Sequence, residues 1–201
     1  MADGTTIVIK YLYDAGCRAI QFDDCSWGMI VDPHACDIFQ TNPAGLRKIM
    51  EQLLEINNLA LEGKPEDLVV TIHVCRGNFH STYASSGSYE SVAKTLFARE
   101  NVDTFYLEFD DERSGGFEPL KEVPSNKKVV LGLITSKNPD LEDEELVKNR
   151  IKDASQYIAL DYLCLSPQCG FASYEIGNKL TEQQQWDKLK LVKEIAEEVW
   201  G

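Results

Sequence analysis

The sequence predicts an α/β fold in which one parallel sheet is covered by helices. Three observations lead there. Helix-like and strand-like segments alternate, and the pair repeats five times along the 201 residues. The strand segments are continuously apolar, as strands buried on both faces must be. Polar and thiol residues then collect where those strands end: Asp23, His73, Cys75, Glu108, Lys137 and Cys169. Active sites of α/β barrels and open α/β sheets lie at that edge.

The elements follow in order. Residues 5 to 15 read as the end of a helix, with Ile7, Val8, Ile9, Leu12 and Tyr13 apolar and Gly16 as its C-cap. A strand over 17–22 exits into Asp23-Asp24, two adjacent carboxylates that suit either a polar ligand or a turn or helix cap. Residues 32–42 form a loop or short helix. A long helix from about Pro43 to Leu61 repeats Leu46, Ile49, Met50, Leu53 and Leu54 at helical spacing, and Gly63-Lys64-Pro65 ends it.

The next strand, opening at Leu68, carries His73-x-Cys75. Residues two apart on a strand share a face, so imidazole and thiol project together and suit a borderline metal such as zinc. In isolation the pair also fits a hydrogen-bonded core histidine beside a buried thiol. The loop 76–88 is rich in Gly, Ser and Asn and long for a strand-to-helix connection, as binding loops are. A helix over 89–97 and a strand over 102–107 follow, the strand exiting at Glu108. The charged, glycine-broken stretch 110–116 leads to a short helix over 117–121. A strand over 128–134 exits into Thr135-Ser136-Lys137. An amphipathic helix over 144–158, a strand over 160–165 ending in Ser166-Pro167-Gln168-Cys169-Gly170, and a helix over 183–200 complete the chain.

Composition narrows the function. The apolar fraction of 43% and charged fraction of 26% are those of a globular protein large enough for a sizeable core. The net charge of −13 argues against a nucleic-acid or anionic-membrane surface, which needs clustered Lys and Arg. No apolar run reaches the length of a membrane span and the first residues lack the pattern of a signal peptide, so the cytoplasm is the expected compartment. Six cysteines in such a chain read as free thiols and metal ligands rather than a disulfide framework.

His73-x-Cys75, the strand-ending Glu108 and Pro167-Gln168-Cys169-Gly170 occur in the same order in one family. They resemble the C-terminal catalytic barrel of cobalamin-independent methionine synthase, and the Arg76-Gly77-Asn78 loop with Asp110-Asp111-Glu112-Arg113-Ser114-Gly115 is similar to its short, single-barrel bacterial relatives. Ile20-Gln21-Phe22-Asp23-Asp24 is similar to that family's Ile-Gln-Ile-Asp-Glu strand end, and Gly132 to Lys137 occupies the place of its strand ending in Asp-Ile-His.

The resemblance implies a TIM (β/α)8 barrel of which residues 1–201 form roughly the last five units, with the N-terminal strands absent. It implies zinc bound by His73, Cys75, Glu108 and Cys169, and Asp23, with Asp24 beside it, holding the amino group of homocysteine. The implied reaction is methyl transfer to that thiol from 5-methyltetrahydrofolate or a related donor, in methionine biosynthesis. Lys137 stands where the family has a histidine thought to assist proton delivery, so either another acid acts or the donor differs. Five strands leave raw sheet edges, which a second copy or a complementary barrel fragment would cover. Alternatives are a non-catalytic zinc-binding fragment, a corrinoid-linked methyltransferase, or a uroporphyrinogen decarboxylase. The decarboxylase lacks a thiolate zinc site, and the His-Cys-Glu-Cys set speaks against it.

Overall fold

The computed structural model describes residues 2–201. Its elements are α1 (Ala2–Asp14), β1 (Ala19–Asp23), α2 (Cys25–Ile30), α3 (Ala35–Ile38), α4 (Pro43–Ala60), β2 (Val69–Val74), α5 (Ala93–Arg99), β3 (Thr104–Glu108), β4 (Lys128–Ile134), α6 (Glu144–Ala154), β5 (Leu163–Pro167) and α7 (Glu182–Trp200). The five strands form one sheet in the order β1-β2-β3-β4-β5, every pair parallel. Consecutive order without reversal is how a barrel wall winds, whereas a doubly wound sheet has a switch point. The fold class expected from the sequence is therefore the one observed.

Alternation divides the sheet into two faces. Val70, Ile72, Phe105, Leu107, Val129 and Leu131 point towards the helices and are buried there. They join Trp27, Leu54, Leu96 and Phe97 in one core between sheet and helices. The opposite face carries Gln21, Thr71, His73, Tyr106, Gly132 and Ser166, several of which line a cavity at the sheet's C-terminal edge. Gly28 shows how tightly α2 sits on that edge: a Cβ there would lie 2.1 Å from the carbonyl oxygen of Cys75.

Several boundaries differ from those expected. The helix expected over 89–97 divides into a 3₁₀ turn at Tyr89–Ser91 and α5, because Ser88 caps the turn and Val92 starts anew. The strand expected over 160–165 begins at Leu163, the first residue with a partner on β4, while Leu160–Tyr162 is a 3₁₀ turn. Helix α6 stops at Ala154, where the chain turns through Ser155. Helix α2 was not expected. It exists because the Asp24 side chain accepts a hydrogen bond from the Ser26 N–H, the N-cap geometry.

Two buried ionic features shape the helix layer. Lys188 on α7 is fully buried and donates to Glu142 at 3.0 Å and to the Asp140 carbonyl at 2.6 Å, tying α7 to the loop after β4. Glu100 is also fully buried. Burial pushes its carboxyl up to about 7, and nearby Asp24 adds to the shift while a hydrogen bond from Asn57 opposes it. No helix among the described residues is long and apolar enough to cross a membrane.

The Glu100 shift makes a stability prediction. The folded chain keeps that proton up to about pH 7, while the unfolded chain releases it near 4.5. The associated stability is complete below about 4.5 and is lost as pH rises to about 7. Glu100→Gln should therefore be more stable than the parent at pH 8, by roughly 3 kcal/mol, and should lose less stability across that window. Denaturant titrations at several pH values measure both quantities, and identical pH dependence in the two proteins would contradict the assignment.

Candidate metal centre

Three neighbouring strands and one late turn build the centre. Asp23 ends β1 and pairs in register with His73 on β2, which in turn pairs with Tyr106 on β3. Two residues further along, Cys75 leaves β2 while Glu108 ends β3, opposite Gly132 on β4. Gly132 provides room: a Cβ there would lie 3.3 Å from the Cα of Gln168. Cys169 enters after β5 in a left-handed conformation (φ 51°), followed by Gly170 at φ 137°. Such a φ is uncommon for a residue with a side chain, and here it turns the thiol back over the sheet edge.

The four residues that the motifs single out converge. One donor atom each from His73, Cys75, Glu108 and Cys169 lies within 4.8 Å of every other. The two Sγ atoms are 3.6 Å apart and His73 Nε2 is 3.3 Å from Glu108 Oε1. Zinc with Zn–S near 2.3 Å and Zn–N or Zn–O near 2.1 Å would place two sulfurs about 3.8 Å apart, and a nitrogen and oxygen about 3.4 Å apart, along the edges of a tetrahedron. The donor set fits that ion in atom type as well as spacing. His73 Nε2 is buried and has no hydrogen-bond partner among the described residues.

The surroundings hold these groups in place. Glu108 is 1% exposed. One of its oxygens accepts from the Arg76 N–H at 3.2 Å, and the other lies 3.5 Å from Arg113 Nη2. Burial raises the Glu108 pKa, but the neighbouring His73, Gln168 and Lys137 outweigh it and hold the carboxyl below its ordinary value. Burial likewise opposes a charge on His73, yet Glu108, Cys75 and Asp23 together raise its pKa. The Cys169 thiol, the Gly77 N–H and His73 bring Cys75 down to about 7 against burial. Cys169 is pushed up, first by its bond to Cys75 and then by burial.

Lys137 stands above this cluster. Its Nζ donates to Gln168 Oε1 at 2.8 Å, the oxygen that also accepts from Ser136 Oγ at 2.9 Å. Burial lowers its pKa, against the pull of Glu108 and Asp110. Asn178 closes the network by donating to Asn78 Oδ1 and to the Ser136 carbonyl, both at 2.8 Å. A cavity of about 240 Å³ opens beside the four donors, bordered by His73, Tyr106, Glu108, Gln168, Cys169 and Phe171, while Lys137 borders a separate depression with Tyr83, Asp110 and Thr135. A larger depression of about 510 Å³ between α4 and α5 carries none of the site residues.

Asp23 and Asp24 part company. Asp23 Oδ1 lies 3.0 Å from His73 Nδ1, at the site. Asp24 instead caps α2 and accepts from Asn57 at 3.3 Å, within the helix layer. Sequence reasoning gave no site role to Arg113, Asn78 and Asn178, whose loops have no periodicity to reveal their direction. Lys188 could have been found, because it falls in the same helical stripe as the buried Leu191 and Ile195.

Comparisons with known proteins agree with this geometry. The profile of the family described as "Cobalamin-independent synthase, Catalytic domain" matches residues 1–198. The YxjG protein of Bacillus subtilis is 50% identical over 196 residues, which cover 96% of this chain and 51% of that protein. A solved structure from Listeria monocytogenes, assigned as a vitamin-B12-independent methionine synthase, is 36% identical with a TM-score of 0.75, covering 100% of this chain and 54% of its own. The B12-independent methionine synthase of Shewanella, solved in complex with selenomethionine, shares the fold at 21% identity and a TM-score of 0.70, over 98% of this chain and 53% of its own. The chain spans about half the length of the curated relatives it matches. With a match that runs through nearly all of its residues, the chain belongs to the cobalamin-independent methionine synthase catalytic-domain family.

Proposed function

We propose that this chain carries the thiol-activating zinc centre of a homocysteine methyltransferase. The observation that carries the reading is the convergence of one imidazole, one carboxylate and two thiol donors within 4.8 Å of one another at the end of a parallel sheet. Zinc held by His73, Cys75, Glu108 and Cys169 supplies a Lewis acid that lowers the pKa of a substrate thiol. Selenomethionine in the Shewanella relative is an analogue of the methylated product, which supports homocysteine as the acceptor here.

The chain's own residues would do the rest. Asp23, with its side chain 68% exposed, offers a carboxylate oxygen to the amino group of homocysteine. Asp24 is engaged as a cap and is left out of that role. The cavity beside Tyr106 and Phe171 would take the methylene chain. Lys137 would deliver a proton to the leaving group of the donor, 5-methyltetrahydrofolate or a related methyl compound. Its burial supports this, since a desolvated lysine gives up its proton more readily than an exposed one.

The donor also needs a wall that these five strands do not provide. Among the described residues β1 and β5 each pair on one side only, and Ile7, Val8, Tyr11 and Trp186 are exposed on the helices flanking those edges. We infer that further barrel strands, of the same polypeptide or of another copy, cover them in the working protein. The 201-residue chain alone should self-associate in sedimentation experiments. A compact monomer with a cooperative melt would contradict that inference.

Homocysteine added to the zinc-loaded protein should bind with release of one proton. Calorimetry in buffers of different ionisation enthalpy counts it. Cys169→Ser should weaken zinc retention and remove the proton release. Homocysteine binding without proton release would contradict thiol activation and leave a zinc-holding scaffold.

A further inference from the structure

Asp23 makes a contact that substrate binding does not require. Its Oδ1 lies 3.0 Å from Nδ1 of His73, and the two residues are paired in register across β1 and β2. The backbone locks the contact, because the Asp24 N–H donates to the His73 carbonyl at 3.0 Å. The His73 side chain is 10% exposed, and its other nitrogen, Nε2, points at Glu108 without a hydrogen-bond partner among the described residues.

A neutral imidazole carries one proton, and the acceptor it meets decides which nitrogen holds it. A carboxylate beside Nδ1 keeps the proton there, which leaves the Nε2 lone pair free and directed at the donor cluster. Carboxylates in this position fix the orientation of metal-binding histidines and make them more basic ligands.

We propose that Asp23 is a positioning residue of the metal centre: through Nδ1 it sets the tautomer and rotation of His73, so that Nε2 is presented to the ion. This rests on the zinc reading above. One carboxylate would then serve two partners, with Oδ1 on the histidine and the remaining oxygen free for the substrate's ammonium group. Binding of the ammonium would draw charge from the oxygen that orients His73, so zinc and the amino acid are linked. Each must change the affinity of the other by the same factor.

The test needs no turnover. Zinc affinity is measured by competition with a chromophoric chelator for the parent, Asp23→Asn and Asp23→Ala, without substrate. The asparagine variant keeps an oxygen acceptor for Nδ1–H and should stay within a few-fold of the parent. The alanine variant keeps none and should bind zinc about 10–100-fold more weakly. Nitrogen NMR of the His73 ring in the metal-free proteins gives a second readout, independent of zinc. At a pH high enough to leave the ring neutral, the parent should show the proton on Nδ1, and Asp23→Ala should shift it towards Nε2. Parent protein that binds no zinc overturns the metal reading, and this inference with it. Parent protein that binds zinc while Asp23→Ala binds it equally tightly, with an unchanged tautomer, overturns this inference alone.

Discussion

Asp23, His73, Tyr106, Val130 and Cys164 stand side by side across five strands, each in register with the next. The next inward-facing positions belong to Cys75, Glu108, Gly132 and Ser166. The centre depends on this ladder. A slip of one residue between β2 and β3 would turn either His73 and Cys75 or Glu108 to the helix side. What prevents the slip is the apolar face: either Val70 and Ile72 of β2 or Phe105 and Leu107 of β3 would then be exposed on the cavity side. Core packing and ligand geometry are thus set by the same register.

The ladder alone supplies three donors, and the fourth comes from outside it. Cys169 arrives through a turn whose positive φ is sterically costly. Bonds from elsewhere support the turn: Asn78 donates to the Gly170 carbonyl at 2.7 Å, and Gln168 is gripped by Ser136 and Lys137. The Lys188–Glu142 pair steadies the same region, because Glu142 also accepts from the Thr135 N–H at 2.8 Å. Buried ion pairs add little net stability compared with apolar packing. This pair serves position instead, linking the last helix to the loop that presents Lys137.

Much of this could be read from the sequence. The continuously apolar strands and helical repeats pointed to the parallel sheet, and the clustering of His73, Cys75, Glu108 and Cys169 at strand ends placed them on one edge. Those signals are local or periodic, so they survive in a single sequence. Asp24 shows the opposite case. Adjacent to Asp23 and chemically identical, it points to the other face, since neighbouring residues at a strand end diverge. Only the onset of α2 decides which carboxylate caps and which faces the site. Arg113, Asn78 and Asn178 were illegible for another reason. Their roles come from contacts between distant loops, as with Asn78 and Asn178, and spacing cannot encode such pairings.

If these four side chains form a thiol-rich zinc shell open to a substrate sulfur, X-ray absorption at the zinc edge of the loaded protein reads that shell directly. The spectrum should show two sulfur neighbours near 2.3 Å with nitrogen or oxygen at about 2.0–2.2 Å, and a third sulfur once homocysteine is added. A shell of nitrogen and oxygen alone, or one that homocysteine leaves unchanged, would contradict the zinc-thiolate centre.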